Sequence, residues 1–409
     1  MEQAVFLTER HDVHADAVDS LRPNFPQAGT STPPEQSESV AKRYAKIKLI
    51  VSLIGSGLFF VLSLILVASG ATAAFESLVR SFLSNDYAAL LGFAALLGLV
   101  ETVLTVPLHF YSSFSLEHKY NLSNQTFRAW LWEGLKGFLV SIPITVPLLL
   151  ALFFCLKSFG PMWWLPVGSV LFLLSVVLAR LAPVLIFPLF YDFKPLPDGE
   201  LKSTILQLCR TVGMSVEGIY VFDLSKNTKK ANAAFTGIGK SKRIILGDTL
   251  VANFHDDEIE TVFAHELGHY KLKHLWTMLA VGTVNSFLGL YLTAKAYELS
   301  LSWFGFTSLD QLAALPLLAL WLGVYSLLVS PLTNAISRSH ERAADRYAIS
   351  LTNNGEAFAN ALRKLARINL ADVSPHPVVE FLFHGHPSIE KRVQAIGTLS
   401  PSPHAGSAQ

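Results

Sequence analysis

The sequence predicts a mainly α fold, a polytopic membrane protein of about six transmembrane helices that also carries a polar α+β domain. Three observations carry this. Of 409 residues 51% are hydrophobic and only 15% are charged, against roughly 25% charged in an ordinary soluble domain. The mean hydropathy is +0.41. The apolar residues are gathered into runs long enough to cross about 30 Å of hydrocarbon, which takes about 20 helical residues. A soluble chain has no use for so much apolar surface, and a disordered one cannot carry it. With 32 basic against 31 acidic side chains the formal charge is +1, so no nucleic-acid partner is expected. The two cysteines, Cys155 and Cys209, make neither a disulfide framework nor a thiolate zinc site.

Residues 1–40 are polar, with Pro23, Pro26, Pro33 and Pro34 among Ser, Thr, Gln and Glu, and read as a disordered tail. No basic stretch followed by an apolar core occurs there, so no cleavable signal peptide is expected. Apolar runs at about 47–71, 87–111, 135–156 and 162–190 are the four spans of an N-terminal membrane domain, 41–191. Two more, at about 275–299 and 311–336, interrupt a second domain, 192–409. Pro143, Pro147, Pro183 and Pro188 predict kinked third and fourth spans packed against neighbours. Lys42, Arg43, Lys46 and Lys48 precede the first span, and Lys119 and Arg128 lie between the second and third. The alternate loops carry only Arg80 and Lys157. Positive residues stay inside, so both termini and the polar stretch 192–273 are expected to be cytosolic. The Asn-x-Ser/Thr matches at Asn121 and Asn124 then face the cytosol and are read as chance.

Within 192–273, Val216 to Leu224 and Arg243 to Leu246 have the β-branched and aromatic character of strands. Asp256 to Leu275 reads as one helix with an acidic first turn and basic residues near its end. It contains His265-Glu266-Leu267-Gly268-His269. Histidines at i and i+4 share a helical face, so both imidazoles can reach one metal ion. The glutamate between them stands where it can take a proton from a metal-activated water. A catalytic zinc takes three protein ligands, so one more must come from elsewhere. Ser337 to Ala348, just past the sixth span, offers Glu341 and Asp345 at i, i+4. Glu341 is read as the third ligand, and Asp345 as the carboxylate that holds a ligand histidine through its other ring nitrogen. The alternative is a solvated helix on which both acids pair with Arg338, Arg342 or Arg346. His340 is a rival ligand but points about 100° away from Glu341 on the helix. His274 does not have the spacing of the metzincin pattern.

At this point the chain resembles the type I CAAX prenyl proteases, integral-membrane zinc endopeptidases of the gluzincin kind, over about 40–400. The resemblance rests on Tyr120 to Thr126 (YNLSNQT), Ala182 to Leu201, Asn232 to Gly237 (NAAFTG), HELGH, the SRSHERAAD segment, and His386-Pro387-Ser388 followed by Arg392. It implies one Zn2+ per chain held by His265, His269 and Glu341, with Glu266 as general base and later acid. It further implies that Asn232 lies on an edge strand pairing with extended substrate backbone. His386 and Arg392 would lie across the zinc, stabilising the tetrahedral oxyanion and clamping the substrate. Eukaryotic members enclose a water-filled chamber with seven spans; the polar tail here precedes what resembles the family's second helix, so six spans are expected, without a counterpart of the first. The end at Gln409 has neither a Cys-a-a-X box nor an endoplasmic reticulum retrieval signal. With the compact polar domain, this favours a bacterial plasma membrane over the endoplasmic reticulum.

The expected function is therefore that of a membrane-embedded zinc metalloendopeptidase removing residues that follow a prenylated cysteine. The expected partners are a peptide or protein substrate, prenylated or membrane-embedded, and membrane lipid. General cleavage of membrane proteins in quality control is the alternative; a transporter or scaffold with a structural zinc is a third. Glu101 and Arg180 fall inside predicted spans, where an unpaired charge is expensive. They either line a polar interior or lie nearer an interface than the span limits suggest.

Overall fold

The structure, a computed structural model, describes residues 34–236 and 243–399. Among these, six helices are long and apolar enough to cross a membrane: Glu38–Ala68, Asp86–Lys119, Phe127–Met162, Trp164–Leu189, His274–Phe304 and Leu312–Thr352. Their outward faces are apolar: Leu328 is 73% exposed and Leu332 65%. Water penalises such a surface, whereas lipid solvates it.

The membrane part begins with α1 (Pro34–Ala68), α2 (Ala71–Phe82) and α3 (Asp86–Phe110). A π-helical turn then leads into α4 (Leu116–Lys119), followed by α5 (Phe127–Phe159) and α6 (Trp164–Leu181). Asn85 starts α3 by accepting hydrogen bonds from the Tyr87 and Ala88 amides, and Thr126 starts α5 by accepting one from Ala129. Helix α5 runs unbroken through Pro143 and Pro147, while a π-helical turn carrying Pro183 follows α6. Of the expected disordered tail, residues 1–33 lie outside the described residues, and 34–40 are helical. The physical reason is propagation: Glu35, Gln36 and Glu38 are good helix formers beside an already nucleated apolar helix, and Pro34 is tolerated in a first turn. Glu101 and Arg180 both lie inside spanning segments with exposed side chains.

The polar domain follows as β1 (Phe193–Pro195), α7 (Glu200–Thr211), β2 (Gly218–Phe222), β3 (Ala233–Thr236), β4 (Arg243–Gly247), α8 (Asp248–Asn253) and α9 (Asp256–Lys271). After the spanning helices α10 (His274–Ser300) and α11 (Leu315–Thr352), it closes with α12 (Gly355–Ile368), α13 (Pro377–Phe383) and α14 (Ile389–Leu399). The four strands are ordered β1-β2-β4-β3, with β2 and β4 parallel and the outer pairs antiparallel. Among the described residues β3 is therefore an edge strand, paired only with β4. Ile205 of α7, Ile244 and Leu246 of β4, Leu250 of α8, and Ile259, Phe263 and Leu267 of α9 form the core beneath the sheet. Fully burying each such side chain contributes about 1.5–3 kcal/mol. The i, i+4, i+8 spacing of Ile259, Phe263 and Leu267 is what pins one face of α9 to the sheet.

Two features position the rest. The Tyr120 to Thr126 stretch binds the loop before β3: Asn124 Nδ2 donates to the Ser225 carbonyl at 2.8 Å and the Lys229 amide to the Leu122 carbonyl at 2.9 Å. The expected single helix from Asp256 to Leu275 is instead two. α9 stops at Lys271, Lys273 takes a left-handed conformation (φ 58°), and α10 begins at His274.

Candidate metal centre

Helix α9 starts with Glu258 accepting a hydrogen bond from the His255 amide at 2.9 Å, and Lys364 holds the same carboxylate at 2.8 Å. This end is fixed, so the register of His265 and His269, about two and three turns along, is fixed too. α11 packs along α9, and Gly268 sets their separation. A Cβ at Gly268 would meet the Ala344 Cα at 3.0 Å and its carbonyl oxygen at 3.1 Å. Only glycine allows the two backbones this close.

At that crossing His265 and Glu341 are buried, 7% and 5% exposed, and His269 is half-buried. The Nε2 atoms of the two histidines are 3.2 Å apart. Glu341 Oε2 lies 3.4 Å from His265 Nε2, and Glu341 Oε1 lies 3.3 Å from His269 Nε2. A tetrahedral zinc with bonds of about 2.0–2.1 Å needs neighbouring donors about 3.3 Å apart. Each of these contacts is about that long, with a different carboxylate oxygen facing each nitrogen, and one donor atom from each residue lies within 4.8 Å of the other two; imidazole nitrogen and carboxylate oxygen are zinc donors by type. Glu341 Oε2 is moreover buried with no hydrogen-bond partner. A carboxylate oxygen buried in that state is costly unless a cation faces it. The residues fit a zinc ion.

Behind the donors, Asp345 Oδ1 lies 2.8 Å from His265 Nδ1. Arg392 grips the same carboxylate with Nη2 at 2.6 Å and Nε at 2.9 Å. Asp345 thus pairs with Arg392 rather than with Arg338, Arg342 or Arg346 of its own helix. Burial alone would lower the His265 pKa; the Asp345 and Glu341 carboxylates, one on each ring nitrogen, overcome it and raise it to about 9. The remaining guanidinium nitrogen, Arg392 Nη1, is 3.9 Å from Glu341 Oε2.

The other expected residues gather around this centre to different degrees. Glu266 is half-exposed and lines a crevice together with Ala233 and Ala234 of β3. Asn232 is exposed just before that strand, and its carbonyl accepts from the Gly247 amide at 2.9 Å. His386, on the loop between α13 and α14, is 70% exposed with Nε2 3.4 Å from Glu341 Oε1. The sequence reading set His274 and His340 aside as ligands, yet both are at the site. His274 Nδ1 lies 3.0 Å from His269 Nδ1, and its ring stacks on that of His340 at 4.1 Å. Their only sequence signal is spacing, which makes sense once the helix is broken at Lys273.

The comparisons with known proteins agree with this geometry. Residues 195–400 match peptidase family M48, and residues 18–192 match the family described as CAAX prenyl protease N-terminal, five membrane helices. The described part of 18–192 holds four spanning helices, α2 with 12 residues being too short. The chain is 35% identical over 361 residues to the uncharacterized metalloprotease YhfN of Bacillus subtilis, covering 87% of this chain and 84% of that one. It is 32% identical over 346 residues to CAAX prenyl protease 1 of Saccharomyces cerevisiae, covering 79% and 75%. The crystal structure of S. mikatae Ste24p superposes with a TM-score of 0.80 at 26% identity, covering 93% of each chain. The M48 metalloproteases are zinc-dependent in general, and the His/Glu group that such an ion needs is present here. With the metal-ligand geometry, the spanning helices and both halves of the sequence in accord, the chain belongs to peptidase family M48 as a multi-pass membrane metalloprotease.

Proposed function

We propose that His265, His269 and Glu341 hold one zinc ion, with which the chain hydrolyses peptide bonds of a polypeptide laid along β3. The observation that carries this is the cluster of donor atoms where α9 crosses α11: the two Nε2 atoms are 3.2 Å apart, and the Glu341 carboxylate presents Oε1 at 3.3 Å to one and Oε2 at 3.4 Å to the other. Bound there, zinc supplies a Lewis acid that polarises the scissile carbonyl and brings the pKa of a water towards neutrality. Glu266 takes up a proton as general base and returns it to the leaving amine. The edge of β3, beside Asn232, offers main-chain hydrogen bonds to an extended substrate. His386 donates to the developing oxyanion, with Arg392 Nη1 adding positive charge on the same side. Asp345 keeps the proton of His265 on Nδ1, so that Nε2 presents its lone pair.

For the substrate we propose a prenylated C-terminal segment, supported by the likeness of this chain to proteins named CAAX prenyl protease 1. A second reading, general cleavage of membrane-protein segments, is favoured by the edge strand itself, because backbone pairing is blind to sequence. The basic residues flanking the spans support an active site on the cytosolic side of a plasma membrane, in contact with lipid. The test uses the purified full chain with a farnesylated CAAX peptide and an unprenylated membrane substrate, beside Glu266→Gln. Glu266→Gln is expected to keep one zinc per chain and to lose hydrolysis of both. Unchanged hydrolysis in that variant refutes the mechanism, and the preferred substrate of the wild type decides the specificity.

A further inference from the structure

The two ligand histidines turn their Nε2 atoms toward Glu341, so each ring keeps Nδ1 for a partner on the far side from the metal position. For His265 that partner is the Asp345 carboxylate at 2.8 Å. For His269 it is another imidazole, His274, with the two Nδ1 atoms 3.0 Å apart. Two ring nitrogens at this distance share one hydrogen, one donating and the other accepting. His269 must keep the Nε2 lone pair free to ligate, so its hydrogen sits on Nδ1, and His269 is the donor. His274 Nδ1 therefore accepts. We infer that His274 is the positioning residue of His269, a neutral acceptor that fixes its tautomer and ring plane; this rests on the zinc site proposed above.

The fold is built to allow it. In an unbroken helix five residues separate the two side chains by about 140° around the axis, on different faces. The left-handed Lys273 ends α9 and lets His274, the first residue of α10, turn back toward His269. His274 is 7% exposed, and the His340 ring lies 8° from parallel with it at 4.1 Å. That stack leaves the His274 ring little freedom to rotate away. The two sides of the centre thereby differ. His265 is backed by a carboxylate that Arg392 neutralises, and His269 by a group that brings no second negative charge behind the ligands.

Phenylalanine and asparagine separate positioning from packing. His274→Phe keeps the ring, its volume and its stack on His340 but removes the acceptor. His274→Asn gives up the ring but keeps an acceptor oxygen at nearly the distance from Cβ at which histidine carries Nδ1. Zinc affinity is measured on the full-length protein in detergent by competition with a chromophoric chelator, together with the apparent thermal midpoint of each apoprotein. His274→Phe is expected to lower zinc affinity by about 10–100-fold, as loss of an outer-shell partner does, with His274→Asn recovering most of that loss. A phenylalanine variant that binds zinc as tightly as the wild type overturns the inference, and so does an asparagine variant no better than phenylalanine. A wild-type protein that binds no zinc would instead overturn the proposed site itself.

Discussion

Replacing Gly268 by alanine sets two effects of opposite sign against each other. Inside a helix, alanine is favoured over glycine by about 1 kcal/mol. The new Cβ, however, would stand 3.0 Å from Ala344 Cα, 3.1 Å from its carbonyl oxygen and 3.3 Å from its Cβ. Ordinary carbon contacts are about 3.5–4.0 Å, so α9 and α11 must part by roughly 0.5 Å or more. The obstructing atoms belong mainly to a backbone, and Ala344 is fully buried, so no side chain can swing aside. Overpacking of this kind costs about 1–3 kcal/mol, leaving a net destabilisation of about 0–2 kcal/mol after the gain in propensity. The same parting stretches the donor cluster, because His265 and His269 flank Gly268 while Glu341 lies one turn before Ala344. Donors now 3.3–3.4 Å apart across the helix pair would move beyond the spacing of about 3.3 Å that a tetrahedral zinc needs. Zinc affinity is therefore expected to fall by about tenfold or more, on the scale of other ligand-misplacing changes. The control is Gly397→Ala in α14, where an added Cβ meets nothing within 4 Å, and a gain of about 0.5–1 kcal/mol is expected. Thermal midpoints in detergent and chelator competition read both quantities. Should Gly268→Ala gain stability as Gly397→Ala does and bind zinc unchanged, the close approach of α9 and α11 is not what holds the site together.

Two further predictions concern the groups behind the ligands. Asp345→Ala leaves Arg392, 9% exposed, without its partner, which should destabilise the fold by about 3–5 kcal/mol. The double change Asp345→Leu with Arg392→Met should restore most of that stability in thermal unfolding while zinc affinity stays low, since His265 Nδ1 still lacks its acceptor. Zinc loading of the apoprotein at neutral pH should release about one proton from His265, whose folded-state pKa is about 9, because a metal-binding imidazole must be neutral. Calorimetry in buffers of different ionisation enthalpy counts that proton, and the release should fade above pH 9. The sign for stability follows from the raised value: protonated His265 stabilises the apo fold fully below its unfolded pKa near 6.5, and this is lost as pH climbs through about 9.

What could be read from the sequence was whatever has a local cause. A bilayer requires about 20 consecutive apolar residues, so the spans announce themselves. The i, i+4 histidines and the i, i+4 acids likewise depend on one helix each. Less legible were features with non-local causes. Asp345 has three arginines within one or two turns of its own helix, yet its carboxylate is taken by Arg392, 47 residues on. The break at Lys273 carries no glycine or proline to mark it, and without it His274 cannot be assigned a place. The strands β1 and β3, of three and four residues, are too short for period-2 alternation to stand out.

The membrane helices do more in this protein than hold it in lipid. The two halves of the donor set sit on α9, just before α10, and on the stretch of α11 that follows its apolar run, and α10 with α11 forms the hairpin that joins them. Within the spans, a Cβ at Gly289 of α10 would overlap the Tyr325 ring of α11, so a glycine again sets the separation, as small residues do between spanning helices. The Tyr325 hydroxyl donates to Asn285, 2.7 Å from its Oδ1 and 3.0 Å from its carbonyl oxygen, which fixes the hairpin along its length as well as across it. Further out, the Tyr297 hydroxyl donates to the Leu309 carbonyl at 3.0 Å and closes the far turn. The hairpin is thus locked at its middle and its tip, and Gly268 against Ala344 locks the pair of helices where the hairpin opens into the polar domain. Donor contacts of 3.2–3.4 Å, two of them made by one carboxylate across the helix pair, tolerate little movement of one helix past the other. The contacts between the spanning helices are therefore part of the geometry of the donor cluster, and loosening the fit at Gly289 should reach the proposed zinc site from inside the membrane.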